Sequence, residues 1–251
     1  MYQQERLNRI TQIIRQNGYV TVKYLTSTLH YSNATINRDL NILAGQKLVH
    51  RTYGGVEWIE NKNVPLPFRY HKMRTEKLRI AKEAAKFVED GDTIFIDAST
   101  QTELMTGFLT DRKNLTVITN NVAIVTRLSE YNINVICLGG RVVEPPYMLD
   151  GAETSENAAA YQADKAFFST YAFNGAGEIG MSGTAYWALN KVILRNSKKT
   201  YFLADHDKLK PTEEVLQRVL CTFDKVNVVV SDYSFEETTK EIYPNTTFVE
   251  V

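Results

Sequence analysis

Between positions 33 and 41 the chain places Asn33, Ala34, Thr35, Asn37, Arg38 and Asn41, a mixture of side-chain amides, one guanidinium and small methyl-bearing groups. Groups of this kind can pair with the edges of nucleic-acid bases in a major groove: Asn with adenine, Arg with guanine, Ala or the Thr methyl with the thymine methyl. The same residue types also cap and solvate short helices. A second set follows later in the chain: Asp97, Ser99 and Thr100, then Thr119 and Asn120, Gly139 and Gly140, and Asp205 with Lys208. Hydroxyls and backbone N–H groups at a helix start suit a phosphate, and carboxylates suit sugar hydroxyls. Glycines allow close backbone approach, and a lysine neutralises an anion. Taken singly, Ser99 and Asn120 could be helix caps, the glycines a turn, and Lys208 half of a surface ion pair.

The first set depends on the elements that carry it. Residues 5–17 place Leu7, Ile10 and Ile14 on one helical face, with Gly18 positioned to end the helix. A second helix is predicted after Thr21 as N-cap, with Val22, Leu25 and Leu29 on one face. After a short link, Ser32 caps a third helix whose stripe Ile36, Leu40 and Leu43 turns toward the other two, leaving the amides and Arg38 on the opposite face. Three short helices with a tight link before the third make a helix-turn-helix. Two extended runs then flank Gly54-Gly55, which predicts a β-hairpin wing. Arg51 and Tyr53 near its tip would lie along a phosphate strand or reach the minor groove, unless the hairpin is only a solvent-exposed turn.

Charge separates the same two regions. Residues 1–82 carry 14 lysines and arginines against 5 acidic residues, a net +9, and the rest of the chain carries 15 against 24, a net −9. A basic module suited to a polyanion thus precedes an acidic body. No apolar run approaches the ~20 residues needed to span a bilayer, so a cytoplasmic protein with no membrane partner is expected. The two cysteines, Cys137 and Cys221, have apolar neighbours and read as core thiols, and the four histidines show no metal-binding spacing.

Residues 59–75 contain two prolines and rising positive charge, as in a linker, and the second domain is expected to begin at 76. Its first helix, 76–90, offers the face Leu78, Ala81, Ala85 and Val88. Apolar strands then alternate with helical patterns at 93–99, 115–120, 134–140, 164–169, 200–205 and 225–232. Such alternation predicts a mostly parallel sheet covered on both faces, an α/β domain. In these sheets ligands sit beyond the carboxyl ends of the strands, where the second set of residues falls.

The segment SNATINRDLNILAGQKLVHRTYGGV resembles the N-terminal signature of the DeoR family of bacterial transcriptional regulators, and TIFIDASTQT, LTVITNN, VICLGG, ADKAFFS and FLADHDKL follow the order of its effector domain. The resemblance implies an N-terminal winged helix-turn-helix domain, 1–58, and a C-terminal mostly parallel α/β effector domain, 76–251, similar in fold to sugar-phosphate isomerases. It implies phosphate-holding roles for Ser99, Thr100 and Thr102, sugar contacts for Asp97, Asn120 and Asp205, and basic positions at Lys165 and Lys208. Of the two, Lys165 starts a strand and could be only a structural partner. Asp39 is read as structural, orienting Arg38 or a backbone group, because a bare carboxylate facing phosphates would be repelled. Asn37 and Tyr53 stand where the family usually has Arg and His. Ser99 and Gln101 replace a usual Gly and Thr, so Gln101 either contacts the ligand or blocks it, and Tyr186 and Asn190 replace a Glu and a Lys. The expected protein is a repressor of carbohydrate genes. It binds double-stranded operator DNA as a homodimer or homotetramer, responds to a phosphorylated sugar, and has no cofactor and no catalytic residues. Alternatives are an isomerase-like enzyme with Asp97 or Asp205 as base, or a helix-turn-helix that packs against a protein partner.

Overall fold

A computed structural model of the chain describes residues 3–46, 48–58, 69–144, 148–170, 172–173, 177–181, 187–209 and 218–251. It divides into two compact units, Met1–Arg74 and Thr75–Val251. Most of the expected linker, 59–68, and Tyr186 lie outside the described residues.

In the first unit, helix α1 (Gln3–Asn17) stops at Gly18, whose φ of 69° few other residues adopt cheaply. Strand β1 (Tyr19–Thr21) precedes α2 (Val22–Leu29), whose N-terminus is capped by Thr21: the Tyr24 N–H donates to the Thr21 hydroxyl at 3.0 Å. Helix α3 (Asn33–Gly45) is capped in the same way by Ser32, which accepts from the Thr35 N–H at 3.2 Å. The wing is β2 (Val49–Thr52) and β3 (Gly55–Trp58), turned at Gly54 with φ 77°. The strands pair antiparallel in the order β1-β3-β2.

Leu7, Ile10, Ile14, Leu25, Ile36, Leu40 and Leu43 meet in one core, joined by Tyr19 and Val56. Each such aliphatic side chain contributes about 1.5–3 kcal/mol by leaving water. Val22 and Leu29, expected on the buried face of α2, only pack against the rim of this core. Strand β1 was not anticipated. Three residues are too few to show an alternation, and their strand conformation is set by pairing with the distant β3.

Helix α4 (Arg74–Ala85), all but its first residue in the second unit, buries Lys77, Ile80, Ala81, Ala84 and Ala85. Leu78, expected on that face, lies at its margin, and the helix ends earlier than expected. The strands β4 (Thr93–Ile96), β5 (Thr116–Thr119), β6 (Asn134–Cys137), β9 (Ala163–Phe168), β12 (Ser197–Ala204), β14 (Val228–Ser231) and β15 (Thr247–Glu250) form one sheet. Its order is β15-β14-β12-β9-β4-β5-β6, and every pairing in it is parallel.

Alternate residues of the strands feed opposite layers. Ile94, Ile96, Val117, Phe167 and Leu203 pack under α4, α5 (Thr100–Met105) and α6 (Val122–Leu128). On the other face, Phe95, Ile118 and Ala166 meet α7 (Ala152–Ala159) and α8 (Trp187–Arg195), while Phe168, Phe202 and Val229 join a separate cluster with Ile179, Leu220 and Phe223. Two small antiparallel sheets were missing from the sequence reading. They are the hairpin β7 (Arg141–Glu144) with β8 (Met148–Asp150), and β10 (Ala172–Phe173), β11 (Glu178–Met181) and β13 (Arg218–Thr222). Helix α9 (Glu237–Ile242) leads into β15.

Cys137 is exposed, contrary to the core position expected of it, because β6 is the last strand of the sheet and its outer positions face solvent. Cys221 is half-buried, and burial pushes its thiol up to about 12. Among the described residues no helix is long and apolar enough to cross a membrane, and no group of side chains is arranged to hold a metal ion.

Candidate functional site

The first unit presents the outer face of α3. Ser32, Asn33, Ala34, Arg38 and Asn41 are exposed, and Thr35 is half-buried with its hydroxyl 2.9 Å from that of Ser32. Tyr53 stands at the wing tip with 97% of its surface exposed. Arg51 does not extend toward solvent. Its guanidinium turns back onto α3, with Nη2 2.6 Å from Asn37 Oδ1 and Nη1 3.0 Å from Asn41 Oδ1.

Asp39 is structural, as expected, but its partner is Arg6 of α1. The guanidinium meets the fully buried carboxylate through two bonds of 2.5 and 3.1 Å. Arg38 is exposed on the outer face of the helix, and among the described residues it makes no bond to Asp39. Arg6 also rests over the Tyr31 ring at 4.9 Å, so one residue ties α1 to both the link and the helix that follows it.

The second unit gathers its candidates where β12, β9, β4, β5 and β6, neighbours in that order, end at Asp205, Ser169, Asp97, Asn120 and Gly139. Asp97 is the hub. Its Oδ1 accepts from the Ser99 N–H at 3.1 Å and the Thr102 hydroxyl at 2.6 Å, and its Oδ2 accepts from the Ser169 N–H at 3.0 Å. Burial raises its carboxyl above the usual range, against the pull of those three donors. Asp97 therefore anchors the loop from within, which differs from the sugar-contacting role expected of it. Thr102, fully buried with its hydroxyl on Asp97, is likewise part of the frame and not of an open phosphate site.

Ser99 caps α5. Thr100 accepts from the Lys77 ammonium at 3.3 Å, and Gln101 donates to the Lys77 carbonyl at 3.0 Å. Gln101 thus fastens the loop to α4. Lys77 is only 3% exposed, and the sequence reading overlooked it. Its signal was available: Lys77, Ala81, Ala84 and Val88 share one helical face, on which a lysine is out of place.

In the turn after β12, Lys208 donates to the Ser169 hydroxyl at 2.7 Å, and its N–H bonds to Asp205 at 3.2 Å. Asn120 donates to the Leu149 carbonyl at 2.8 Å, and its Oδ1 is buried with no partner among the described residues. Asn121, not Asn120, caps α6, accepting from the Ala123 N–H at 2.8 Å.

Gly139 and Gly140 have φ of 70° and 114°. A Cβ on Gly140 would meet the Thr154 hydroxyl and lie 3.0 Å from the Asp150 carbonyl, so the close approach there is to the chain itself. Lys165 does not join the site. It sits near the amino end of β9, paired with Asp92 at 2.7 Å and Glu89 at 3.1 Å, because position 165 falls in the first half of a strand that runs from Ala163 to Phe168. Burial opposes its charge, but the two carboxylates outweigh it and hold the ammonium above the usual lysine range. Asn190, buried in α8, stands in the layer under the other sheet face.

A winged helix-turn-helix followed by a parallel α/β domain with an anion-compatible carboxyl edge defines a two-part regulator of transcription. Residues 6–62 match the DeoR-like helix-turn-helix domain and residues 72–233 the DeoR C terminal sensor domain, and the chain belongs to the DeoR family of transcriptional regulators. It is 28% identical over 234 residues to the HTH-type transcriptional regulator IolR of Bacillus subtilis, covering 92% of each chain. It is 29% identical over 210 residues to the Glycerol-3-phosphate regulon repressor of Escherichia coli, covering 83% of each. Among solved structures, eIF2B beta from Chaetomium thermophilum aligns over 70% of this chain and 54% of that one, at 17% identity with a TM-score of 0.50, a likeness of fold. The ribose 5 phosphate isomerase A of Neisseria gonorrhoeae aligns over 53% of this chain and 52% of that one, at 19% identity with a TM-score of 0.38. The chain spans about half the length of these two structures.

Proposed function

We propose that this regulator represses carbohydrate-metabolism genes, and that a phosphorylated sugar bound over the carboxyl ends of β4, β9 and β12 changes its affinity for operator DNA. The observation that carries the reading is a pair of ammonium groups held against hydroxyls on adjacent strand ends: Lys77 on Thr100 after β4, and Lys208 on Ser169 after β9. Two cations beside hydroxyl and amide groups suit a ligand that is both anionic and rich in hydroxyls. The name of the E. coli relative, a repressor of a glycerol-3-phosphate regulon, supports the same class of effector.

The protein acts without catalysis in this reading. Asp97 holds three donors within the loop and is only 1% exposed, which suits an anchor better than a general base. Helix-turn-helix proteins bind as dimers on half-sites about 34 Å apart, so a homodimer or homotetramer is the working assembly. The effector acts by binding the DNA-competent and DNA-released states with different affinity.

The test is binding to DNA from upstream of the protein's own and neighbouring genes, at two salt concentrations, with a panel of sugar phosphates. One compound is expected to release a salt-sensitive, sequence-specific complex. Specific binding that no sugar phosphate alters would overturn the effector, and salt-independent association would overturn the DNA reading.

A further inference from the structure

The wing arginine and the recognition helix share a contact that constrains how the helix can read bases. Arg51 lies on β2, and its guanidinium reaches Asn37 Oδ1 at 2.6 Å, Asn41 Oδ1 at 3.0 Å and the Asn37 carbonyl at 3.4 Å. A guanidinium carries donors only, so both amides must turn their oxygen toward it. Asn37 is fixed at its other end as well, since its Nδ2 donates to the Asn33 carbonyl at 2.9 Å. Asn41, which is exposed, has its oxygen engaged by Arg51, and its NH2 group has no partner among the described residues.

An asparagine that recognises adenine uses both ends of the amide, accepting from N6 and donating to N7. Asn41 has one end committed, and the remaining lone pair of its oxygen lies beside a cation that repels the N6 hydrogens of adenine. We infer that Arg51 acts as a positioning residue that makes Asn41 a donor-only reader, selecting guanine or thymine over adenine at its base position, while Asn37 reads no base at all. Guanine offers N7 and O6 and thymine offers O4, all acceptors; adenine offers N7 but sets its N6 donor beside it, against the Arg51 cation, and cytosine presents only a donor. This rests on the reading of α3 as the helix that enters the major groove. It replaces the adenine pairing expected from residue type for both asparagines.

The experiment selects sequences from randomised double-stranded DNA with the full-length protein and with Asn41→Ala, Asn41→Asp, Asn37→Ala and Arg51→Met. The position read by Asn41 is the one whose preference collapses in Asn41→Ala. Guanine or thymine is expected there in the unaltered protein. Arg51→Met frees the amide and raises the relative affinity for adenine at that position alone, by about fivefold or more, the lower end of what a bidentate pair contributes. Asn41→Asp keeps the acceptor for Arg51 on an exposed residue and moves the preference to cytosine. If Arg51→Met lowers the melting temperature, the base preferred at the Asn41 position by the unaltered protein decides the matter.

Adenine at the Asn41 position in the unaltered protein would overturn the inference. So would an Arg51→Met variant that binds all sequences more weakly with a salt slope smaller by about one, the mark of a phosphate contact. A collapsed preference in Asn37→Ala would overturn its second half. Failure of the unaltered protein to select any sequence would remove the DNA reading itself, a distinct result.

Discussion

Arg6 and Asp39 illustrate how much one buried pair can hold. Asp39 is fully enclosed and its carboxylate is matched by a guanidinium in two-bond geometry. Arg6→Met leaves that charge buried and unmatched, which costs about 3–5 kcal/mol. Calorimetry should show the transition of the N-terminal unit falling sharply, and an unchanged transition would mean Asp39 finds another partner. Lys165 gives a pH-dependent counterpart in the second unit. Its pKa is raised in the folded protein, so its stabilisation is complete below the unfolded value of 10.5 and is lost as pH rises through the higher folded value. Lys165→Met should therefore lower stability by about 2 kcal/mol at neutral pH and narrow its deficit relative to the unaltered protein above that range, as read by urea unfolding at several pH values. Lys77→Met keeps the aliphatic stem and removes the ammonium from Thr100. It should weaken the response to sugar phosphate by tenfold or more, while DNA affinity without ligand stays as it was; an unaltered response would take Lys77 out of the site.

The elements that sequence alone revealed are those whose instructions are local. Thr21 and Ser32 cap the helices they precede, Gly18 and Gly54 supply positive φ, and Ile36, Leu40 and Leu43 form the stripe their spacing implied. The strand ends Asp97, Asn120 and Asp205 were found because a parallel sheet directs its chemistry to one edge. What escaped depended on distant partners. β1 exists through its register with β3, Lys77 reaches Thr100 because α4 lies against the loop after β4, and Ser169 meets Asp97 because β9 is the neighbour of β4. Arg51 looked like a phosphate contact until the fold of the wing brought it onto α3. The tightness of that wing is itself testable. A Cβ on Gly55 would run into the buried Tyr19 ring, so Gly55→Ala should destabilise the N-terminal unit by about 1–3 kcal/mol and weaken DNA binding through displacement of β3. A variant that melts and binds normally would show that the ring can move aside.

At the scale of the whole chain, the charge division remains its plainest instruction. The +9 excess lies in residues 1–82 and is offset by a body of equal and opposite charge. Association with DNA should weaken with salt as phosphate-bound counterions are released, on the order of a thousandfold between 50 and 200 mM if six phosphates are engaged. A shallow slope would mean fewer contacts than this surface suggests.

The strand order has a further consequence, in time. The core of the first unit draws only on residues 7–58, whereas β4 lies in mid-sheet and two of the strands beyond β9 on that side, β14 and β15, come from the last 24 residues of the chain. At synthesis rates of roughly 5–20 residues per second, a nascent chain would carry a completed helix-turn-helix fold for roughly 10–40 s before the sheet of the second unit could close.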